Sequence, residues 1–265
     1  AIERAETDSM DVILSVIDNT KAVVKITPDM QDLVFGSIRQ SAIWNAPLVQ
    51  VTPDLMPIWQ RVIKRVCDIV LSVFALVVLS PVFLLCSIIV ATTSKGPVFY
   101  KQERIGKGGK PFKMAKFRSM YIDAESSGTP QLSSDDDPRI TKFGRFMRKV
   151  RLDEIPQFYT VLIGKMSLVG YRPERQYFID KIMETAPYYR LLFKVKPGIT
   201  GWAQVNGRNA LSWPAKFELD VWYVEHRSLR LDLKILAATA WKVLRREGIS
   251  APGAATMPPF RGTMR

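Results

Sequence analysis

The feature that most constrains this chain is an apolar run of 26 residues without a charge, from Ile69 to Ser94. An α-helix rises 1.5 Å per residue, so a straight helix of this length spans the roughly 30 Å hydrocarbon layer of a bilayer. Ser80-Pro81 lies near the middle of the run. A proline inside a helix removes a backbone donor and clashes with the preceding turn, so we expect the helix to bend or break there.

The flanks of the run carry basic residues at both ends. Arginine and lysine favour the cytoplasmic side of a membrane, which predicts that both ends lie on that side. A helix that enters the membrane, bends at Ser80-Pro81 and returns is therefore preferred over a single spanning helix. A buried helix of a soluble protein is the third interpretation, because no other segment is apolar enough to surround it. The flanking residues are Arg61, Lys64 and Arg65 before the run, and Lys95, Lys101 and Arg104 after it.

The charge of the chain is unevenly distributed. The 265 residues carry a net charge of +13; residues 1–60 hold 4 basic and 8 acidic residues (net −4), and residues 61–265 hold 34 and 17 (net +17). So basic a segment suits anionic lipid or phosphate ligands. We predict no nucleic-acid binding, because no RNP, helix-turn-helix or zinc-finger pattern accompanies the charge.

The small numbers of cysteine and histidine narrow the chemistry. Cys67 and Cys86 both lie in or beside the apolar run, which excludes a disulfide scaffold and a cysteine zinc site. One histidine, His226, argues against a histidine-centred triad or metal site. Catalysis by this chain must therefore depend on carboxylates, lysines and arginines.

Hydrophobic periodicity and turn residues predict the remaining elements. One of these elements is a basic amphipathic helix over 139–151. This helix either lies in an anionic lipid interface or packs its apolar side on a core, and the sequence favours these two arrangements about equally. The predictions are strands at Ala22–Ile26 and Leu48–Val51, a β-hairpin over 97–117, the basic helix over 139–151, a glycine-punctuated loop over 196–208 and helices over 213–226 and 231–246.

The adjacent carboxylates Asp153 and Glu154 are the most suggestive pair in the chain. On an α-helix adjacent side chains point about 100° apart, so the pair is suited to two separate roles. A carboxylate can attack phosphorus as a covalent nucleophile, provided that Mg²⁺ and basic side chains offset the charge repulsion. Hard oxygen ligands favour Mg²⁺ over zinc. The alternative is a surface helix start, where acidic residues are common. Basic neighbours are Lys116, Arg118, Arg148, Lys149, Arg151 and Arg172.

A set of motifs in fixed order extends from about Arg61 to Gly248, 188 of the 265 residues. Taken together they closely resemble the bacterial sugar transferase family, the monotopic polyprenyl-phosphate phosphoglycosyl transferases. Residues 1–57 resemble the end of an additional α/β domain that longer members carry. The motifs are KRVCDIVLS, LSPVFLL, GPVFYKQERIG, FKMAKFRSM, DDPRITKFGRFMRK, LDEIPQ, GKMSLVGYRPE, KPGITGWAQVNGR and KFELDVWYV.

The resemblance implies a reaction. Family members transfer a sugar-1-phosphate from a UDP-sugar to undecaprenyl phosphate, release UMP and start the assembly of bacterial surface glycans. By the resemblance, Asp153 is the nucleophile that forms a covalent phosphosugar intermediate in a ping-pong mechanism, and Glu154 is a Mg²⁺ ligand. It also implies the inner membrane, on its cytoplasmic face, as the location, with membrane lipids as partners and a homodimer as a further possibility.

The resemblance also assigns binding residues. Arg148, five residues before the nucleophile, maps onto a phosphate-binding arginine. The Pro-Arg-Pro nucleotide motif of the family reads Tyr171-Arg172-Pro173 here, so Arg172 is expected to contact the nucleotide although the first proline is replaced. Lys116 and Arg118 match basic positions near the phosphates. Ser80 and Pro81 map onto the bend of the re-entrant helix.

The expected fold class is α+β: a mainly helical monotopic membrane fold with a re-entrant helix, interfacial amphipathic helices, a small β-hairpin and a partial α/β piece at the N-terminus. A non-enzymatic basic scaffold at the membrane surface is the alternative function. The expected domains are an accessory piece over 1–57, the re-entrant helix over 58–95, the catalytic domain over 96–248 and a loosely ordered tail over 249–265.

Overall fold

A computed structural model describes residues 56–125, 137–185, 187–207 and 211–245, together with three short strands before them. The chain divides into two units, residues 1–57 and residues 58–265. The predicted tail over 249–265 lies outside the described residues.

The described part of the first unit is a three-stranded antiparallel sheet. Its strands are β1 (Val24–Ile26), β2 (Ser41–Ile43) and β3 (Ala46–Val51), in the order β1-β3-β2. The sequence predicted β1 and β3 with slightly different bounds. It missed β2, in which Ile43 is the single β-branched residue.

The second unit contains helices, a hairpin and a parallel strand pair. The hairpin β4-β5 is antiparallel, as predicted, and β6-β7 is parallel. The predicted loop over 196–208 is wrong in part, because it contains β7 and the short helix α6. The elements are α1 (Ile58–Val78), α2 (Ser80–Thr93), β4 (Phe99–Ile105), β5 (Pro111–Phe117), α3 (Lys142–Val150), α4 (Gln157–Leu162), β6 (Ser167–Val169), α5 (Gln176–Thr185), β7 (Gly198–Thr200), α6 (Trp202–Val205), α7 (Trp213–His226) and α8 (Leu229–Arg245).

The first half of α1 is anchored to the rest of this unit by polar side chains. Lys64 pairs with Asp232 of α8 at 2.6 Å, and Arg65 donates to two carbonyl oxygens of α4. Asp68 is buried and accepts a hydrogen bond from the Leu168 amide at 2.9 Å. Lys64 and Arg65 therefore bind protein groups, and the uncharged run begins directly after Asp68.

The helix pair bends at the predicted position, with an angle of 62° between α1 and α2. Pro81 has no N–H to offer the carbonyl four residues earlier, that of Val77. The Ser80 hydroxyl donates to that carbonyl instead, at 2.7 Å. Within the described ranges no single helix is long and apolar enough to cross a membrane. The bent pair of α1 and α2 reaches the required length and apolar character when the two helices are taken together. Exposed apolar side chains on the pair include Val70, Phe74, Val77, Leu84, Leu85 and Ile88.

Two apolar clusters hold the second unit together. The larger joins the hairpin to β6, β7, α5, α7 and α8. The smaller joins α2, through Cys86 and Val90, to Phe117 of β5, Met147 of α3 and Ile155. Because Ile155 follows Asp153-Glu154 directly, this second cluster positions the acidic pair beside α2.

Candidate active site

The helix that leads to the acidic pair is fixed at both ends. The Thr141 hydroxyl caps α3 by accepting from the Gly144 amide at 2.9 Å. A Cβ on Gly144 would lie 2.1 Å from the Ser119 carbonyl oxygen, so only glycine allows the helix to approach this closely. The helix ends at Arg151, whose left-handed φ of 63° turns the chain sharply.

This turn continues directly into the acidic pair. Asp153 and Glu154 lie in a 3₁₀ turn, Leu152–Glu154, rather than on the predicted α-helix. With three residues per turn their side chains diverge by about 120°, slightly more than in an α-helix. Both residues are buried, with 6% and 8% of their surface exposed. The structure therefore does not support an exposed helix start.

Glu154 is surrounded by cations. Its Oε1 atom lies 2.6 Å from Arg172 Nη2, 3.4 Å from Lys116 Nζ and 3.8 Å from Arg151 Nη1. Burial by itself would raise the pKa of Glu154, but the charges of Arg172, Lys116 and Arg151 outweigh burial and hold this pKa well below its usual range. Glu154 is therefore a permanent anion at neutral pH.

Asp153 has a different environment. Its Oδ1 atom is buried and has no hydrogen-bond partner among the described residues. Burial raises the pKa of Asp153, and the neighbouring Glu154 charge raises it further. A buried carboxylate oxygen without a partner costs free energy unless a ligand completes the site. The pair thus consists of Glu154, whose Oε1 atom is paired with cations, and Asp153, whose Oδ1 atom is available for chemistry.

Arg148 also belongs to this cluster. Its Nε donates to the Ser119 hydroxyl at 2.8 Å, which orients the side chain. Burial lowers the pKa of Arg148, and the charge of Asp153 opposes this effect, so the guanidinium lies within electrostatic reach of the nucleophile candidate. The structure thus brings Lys116, Arg148 and Arg172 together around the pair.

Arg118 lies elsewhere. Its Nη2 atom donates to the carbonyl oxygens of Val90 (3.3 Å) and Ser94 (2.6 Å) at the end of α2. The amide of Arg118 still donates to the Val98 carbonyl across the hairpin at 2.9 Å, one residue beyond the end of β5. The geometry gives Arg118 the task of fixing the hairpin to α2, where a cation suits the carboxyl end of a helix.

Arg172 contacts the acidic pair although Tyr171 stands in place of the first proline of the expected motif. Tyr171 is fully buried in the larger apolar cluster, and Arg172 still reaches Glu154. Two residues after Arg172, the carboxylate of Glu174 forms ion pairs with Arg104 at 3.1 Å and with Lys216 at 2.6 Å. We call these three residues the Glu174 bridge.

Sequence reasoning missed the Glu174 bridge and the contact between Arg151 and Glu154. The bridge joins residues up to 112 positions apart (216 minus 104), and no local pattern indicates such pairing. Arg151 was visible as a basic neighbour, but the left-handed turn that aims it at Glu154 has no signature such as glycine or asparagine.

The acidic pair fits only one mode of metal binding. Within the described residues no group of three or more histidine, cysteine, aspartate or glutamate side chains lies together. Mg²⁺ is commonly held by one or two carboxylates, with phosphate and water oxygens as the other ligands. The free oxygen of Asp153 and the ionised Glu154 are compatible with this mode of binding. Two carboxylates are too few to surround a metal ion with protein ligands alone.

Comparison with known proteins identifies the family of this chain. The model of the family described as bacterial sugar transferase matches residues 59–246, and the chain belongs to that family. It is 45% identical over 206 residues to "Uncharacterized sugar transferase EpsL" of Bacillus subtilis, covering 76% of this chain and 97% of that protein.

Two further relatives carry a reaction in their names. The chain is 41% identical over 185 residues to the UDP-N-acetylgalactosamine-undecaprenyl-phosphate N-acetylgalactosaminephosphotransferase of Aeromonas hydrophila, covering 69% of this chain and 44% of that protein. It is 38% identical over 248 residues to the UDP-glucose:undecaprenyl-phosphate glucose-1-phosphate transferase of Xanthomonas campestris, covering 90% and 51%. The chain thus spans about half the length of these two relatives.

Proposed function

We propose that this protein transfers a sugar-1-phosphate from a UDP-sugar to undecaprenyl phosphate through a covalent intermediate on Asp153. The observation that carries the proposal is the buried, unpartnered Oδ1 of Asp153 beside a carboxylate that three cations hold ionised. The reactions named for the family relatives support the same donor class and acceptor.

The chemistry divides into two displacements at one phosphorus atom. In the first, an oxygen of Asp153 bonds to the sugar-bearing phosphorus, and the bond from that phosphorus to the bridging oxygen breaks; UMP leaves with the electron pair. In the second, a phosphate oxygen of undecaprenyl phosphate attacks the same phosphorus and the Asp153 carboxylate leaves. No oxidant, reductant or net proton donor is required.

The cations make the first attack feasible. A carboxylate and a diphosphate repel each other, and four basic side chains lie around the pair: Lys116, Arg148, Arg151 and Arg172. With both carboxylates ionised their sum is +2, which is suited to the charge of a diphosphate. These side chains are partly buried, with 17% of Lys116 and 29% of Arg172 exposed, so they act in a lower dielectric than bulk water and need less reorganisation during the reaction.

Mg²⁺ is part of the proposal. Glu154 and Asp153 are the residues that would hold the ion, together with donor phosphate oxygens. A bound Mg²⁺ would neutralise charge that develops on the departing phosphate. Glu154 is the better of the two ligands, because its charge persists at neutral pH while Asp153 is engaged with phosphorus.

We propose that α1 and α2 form a re-entrant membrane element at the cytoplasmic face of the inner membrane. The 62° bend and the exposed apolar side chains support this arrangement. The smaller apolar cluster joins α2 to Met147 and Ile155, which flank the acidic pair. A polyprenyl chain in the membrane can then present its phosphate to a site at the membrane surface.

The test is UMP release from a panel of UDP-sugars by the purified protein in nanodiscs with undecaprenyl phosphate and Mg²⁺. We expect release with at least one donor, and we expect Asp153→Asn to abolish it. Glu184→Gln, which changes an exposed carboxylate on α5, is the matched control and should leave release unchanged. Full activity of Asp153→Asn would show that Asp153 is not the nucleophile. The scaffold alternative predicts no release by the wild-type protein.

A further inference from the structure

A surface pocket lies between β4 and the start of α5, outside the residues assigned above. It has a volume of about 250 Å³, and Tyr100, Gln102, Arg175 and Tyr177 lie among its lining residues. Both tyrosines are about 40% exposed. This volume is small for a whole ligand but sufficient for one flat ring of a larger ligand whose remainder lies outside the pocket.

The pocket adjoins the cationic cluster. Tyr100 lies directly opposite Lys116 in the hairpin register, and side chains of such a pair share one face with Cβ atoms about 5 Å apart. Lys116 in turn contacts Glu154. On the other side, Arg175 follows Arg172 by three residues. Desolvation lowers the pKa of Arg104, and the charges of Arg172 and Arg175 add to the effect, so both cations lie near this partly buried arginine.

The amide of Gln102 is held in one orientation. Its Oε1 atom accepts hydrogen bonds from Arg104 Nη2 at 2.6 Å and Nε at 3.0 Å, and Arg104 is held by Glu174. Because arginine only donates, the amide oxygen must face it. The NH₂ group of Gln102 therefore points the other way as a fixed donor, which selects a ligand edge that carries a carbonyl oxygen.

The two tyrosines supply aromatic surfaces. Lys181 Nζ lies 4.5 Å from the centre of the Tyr177 ring and covers one of its faces. Stacking on tyrosine is a common mode of nucleobase binding, since every base has a π-face. Aromatic surfaces, a fixed amide donor and a nearby arginine together match a pyrimidine base with a ribose phosphate attached.

We propose that this pocket binds the uracil ring of the nucleotide donor, with Tyr100 and Tyr177 in contact with the ring and the Gln102 NH₂ group donating to O4. The proposal rests on the proposed function and adds to it the position of the leaving nucleotide. The hairpin pair of Tyr100 and Lys116 connects the pocket to Glu154, the neighbour of Asp153.

Direct binding of UMP, measured by equilibrium dialysis on the full chain in detergent, tests the pocket independently of turnover. We expect Tyr100→Ala and Tyr177→Ala to weaken UMP binding about tenfold each, as loss of a base stack does. Gln102→Leu should reduce the preference for UMP over CMP, because cytosine carries an amino group in place of O4. Tyr121→Ala, at an exposed tyrosine outside the pocket, is the control and should bind UMP as the wild type does.

The possible outcomes distinguish a failure of the uracil pocket from a failure of the proposed reaction at Asp153. If the wild type binds UMP and all three pocket variants bind it within twofold of wild type, the pocket assignment is wrong while the reaction is unaffected. Absence of UMP binding by the wild type would also overturn it. Asp153→Asn should keep UMP binding, so a failure of the nucleophile test leaves this measurement intact.

Discussion

Removing the charge of Glu174 tests whether the Glu174 bridge stabilises the second unit. The Glu174 side chain is 13% exposed and its partners Lys216 and Arg104 are 9% and 16% exposed, so Glu174→Gln leaves two largely buried cations without their carboxylate. Breaking a buried pair costs about 3–5 kcal/mol, and the partial exposure of Arg104 argues for the lower end. At about 2–4 °C per kcal/mol for a unit of this size, the melting temperature should fall by roughly 6–12 °C.

The assay follows heat-induced labelling of Cys86 by a thiol-reactive dye, in a Cys67→Ser background. Cys86 is 2% exposed in the smaller apolar cluster, whereas Cys67 is exposed and would react at once. The double variant Glu174→Gln/Lys216→Met should be less destabilised than the sum of the single variants, because it removes a cation together with its partner. A melting temperature within 2 °C of wild type for Glu174→Gln would refute the reasoning.

Two other substitutions test single features. Burial raises the pKa of Asp220 to about 7, against the opposing charge of Lys216. The folded state therefore binds this proton more tightly than the unfolded chain (pKa 3.8), so the stability that Asp220 contributes should be lost as pH rises from about 4 to 7. Asp220→Asn should remove this loss from the pH dependence of the melting temperature, and an unchanged slope would contradict this expectation. Ser80→Ala removes the hydroxyl that donates to the Val77 carbonyl and should cost about 0.5–1.5 kcal/mol. Ser87→Ala in the middle of α2 should cost less, since the carbonyl that Ser87 bonds also accepts a helical amide. Equal losses in the same labelling assay would rule out the special role of Ser80.

Local patterns predicted the elements that depend on local residues. Ser80-Pro81 marked the break between α1 and α2, and the glycine-rich turn marked the hairpin, because proline and glycine act on the backbone where they stand. The parallel pair β6-β7 was not predicted. Its strands have three residues each and pair across about 30 positions (198 minus 167), and the register has no local signal.

In the site, too, local sequence patterns identified residues, whereas contacts between distant residues decided their positions. Motif order identified the family and the acidic pair, and the structure brings Lys116 and Arg172 to that pair. Arg118 appeared equivalent to Lys116, since both are basic and two residues apart at the end of one strand. The carbonyl oxygens at the end of α2 decide its position, and these belong to residues 24 and 28 positions earlier in the chain.

The central claim is that Asp153 carries the sugar phosphate during turnover. The most direct measurement is peptide mass spectrometry of the protein after incubation with an accepted UDP-sugar and Mg²⁺, without undecaprenyl phosphate. We expect the mass of one sugar phosphate on the peptide that contains Asp153, and its loss when the acceptor is added. An unmodified Asp153 peptide under conditions where UMP is released, or the same adduct on another residue, would contradict the account.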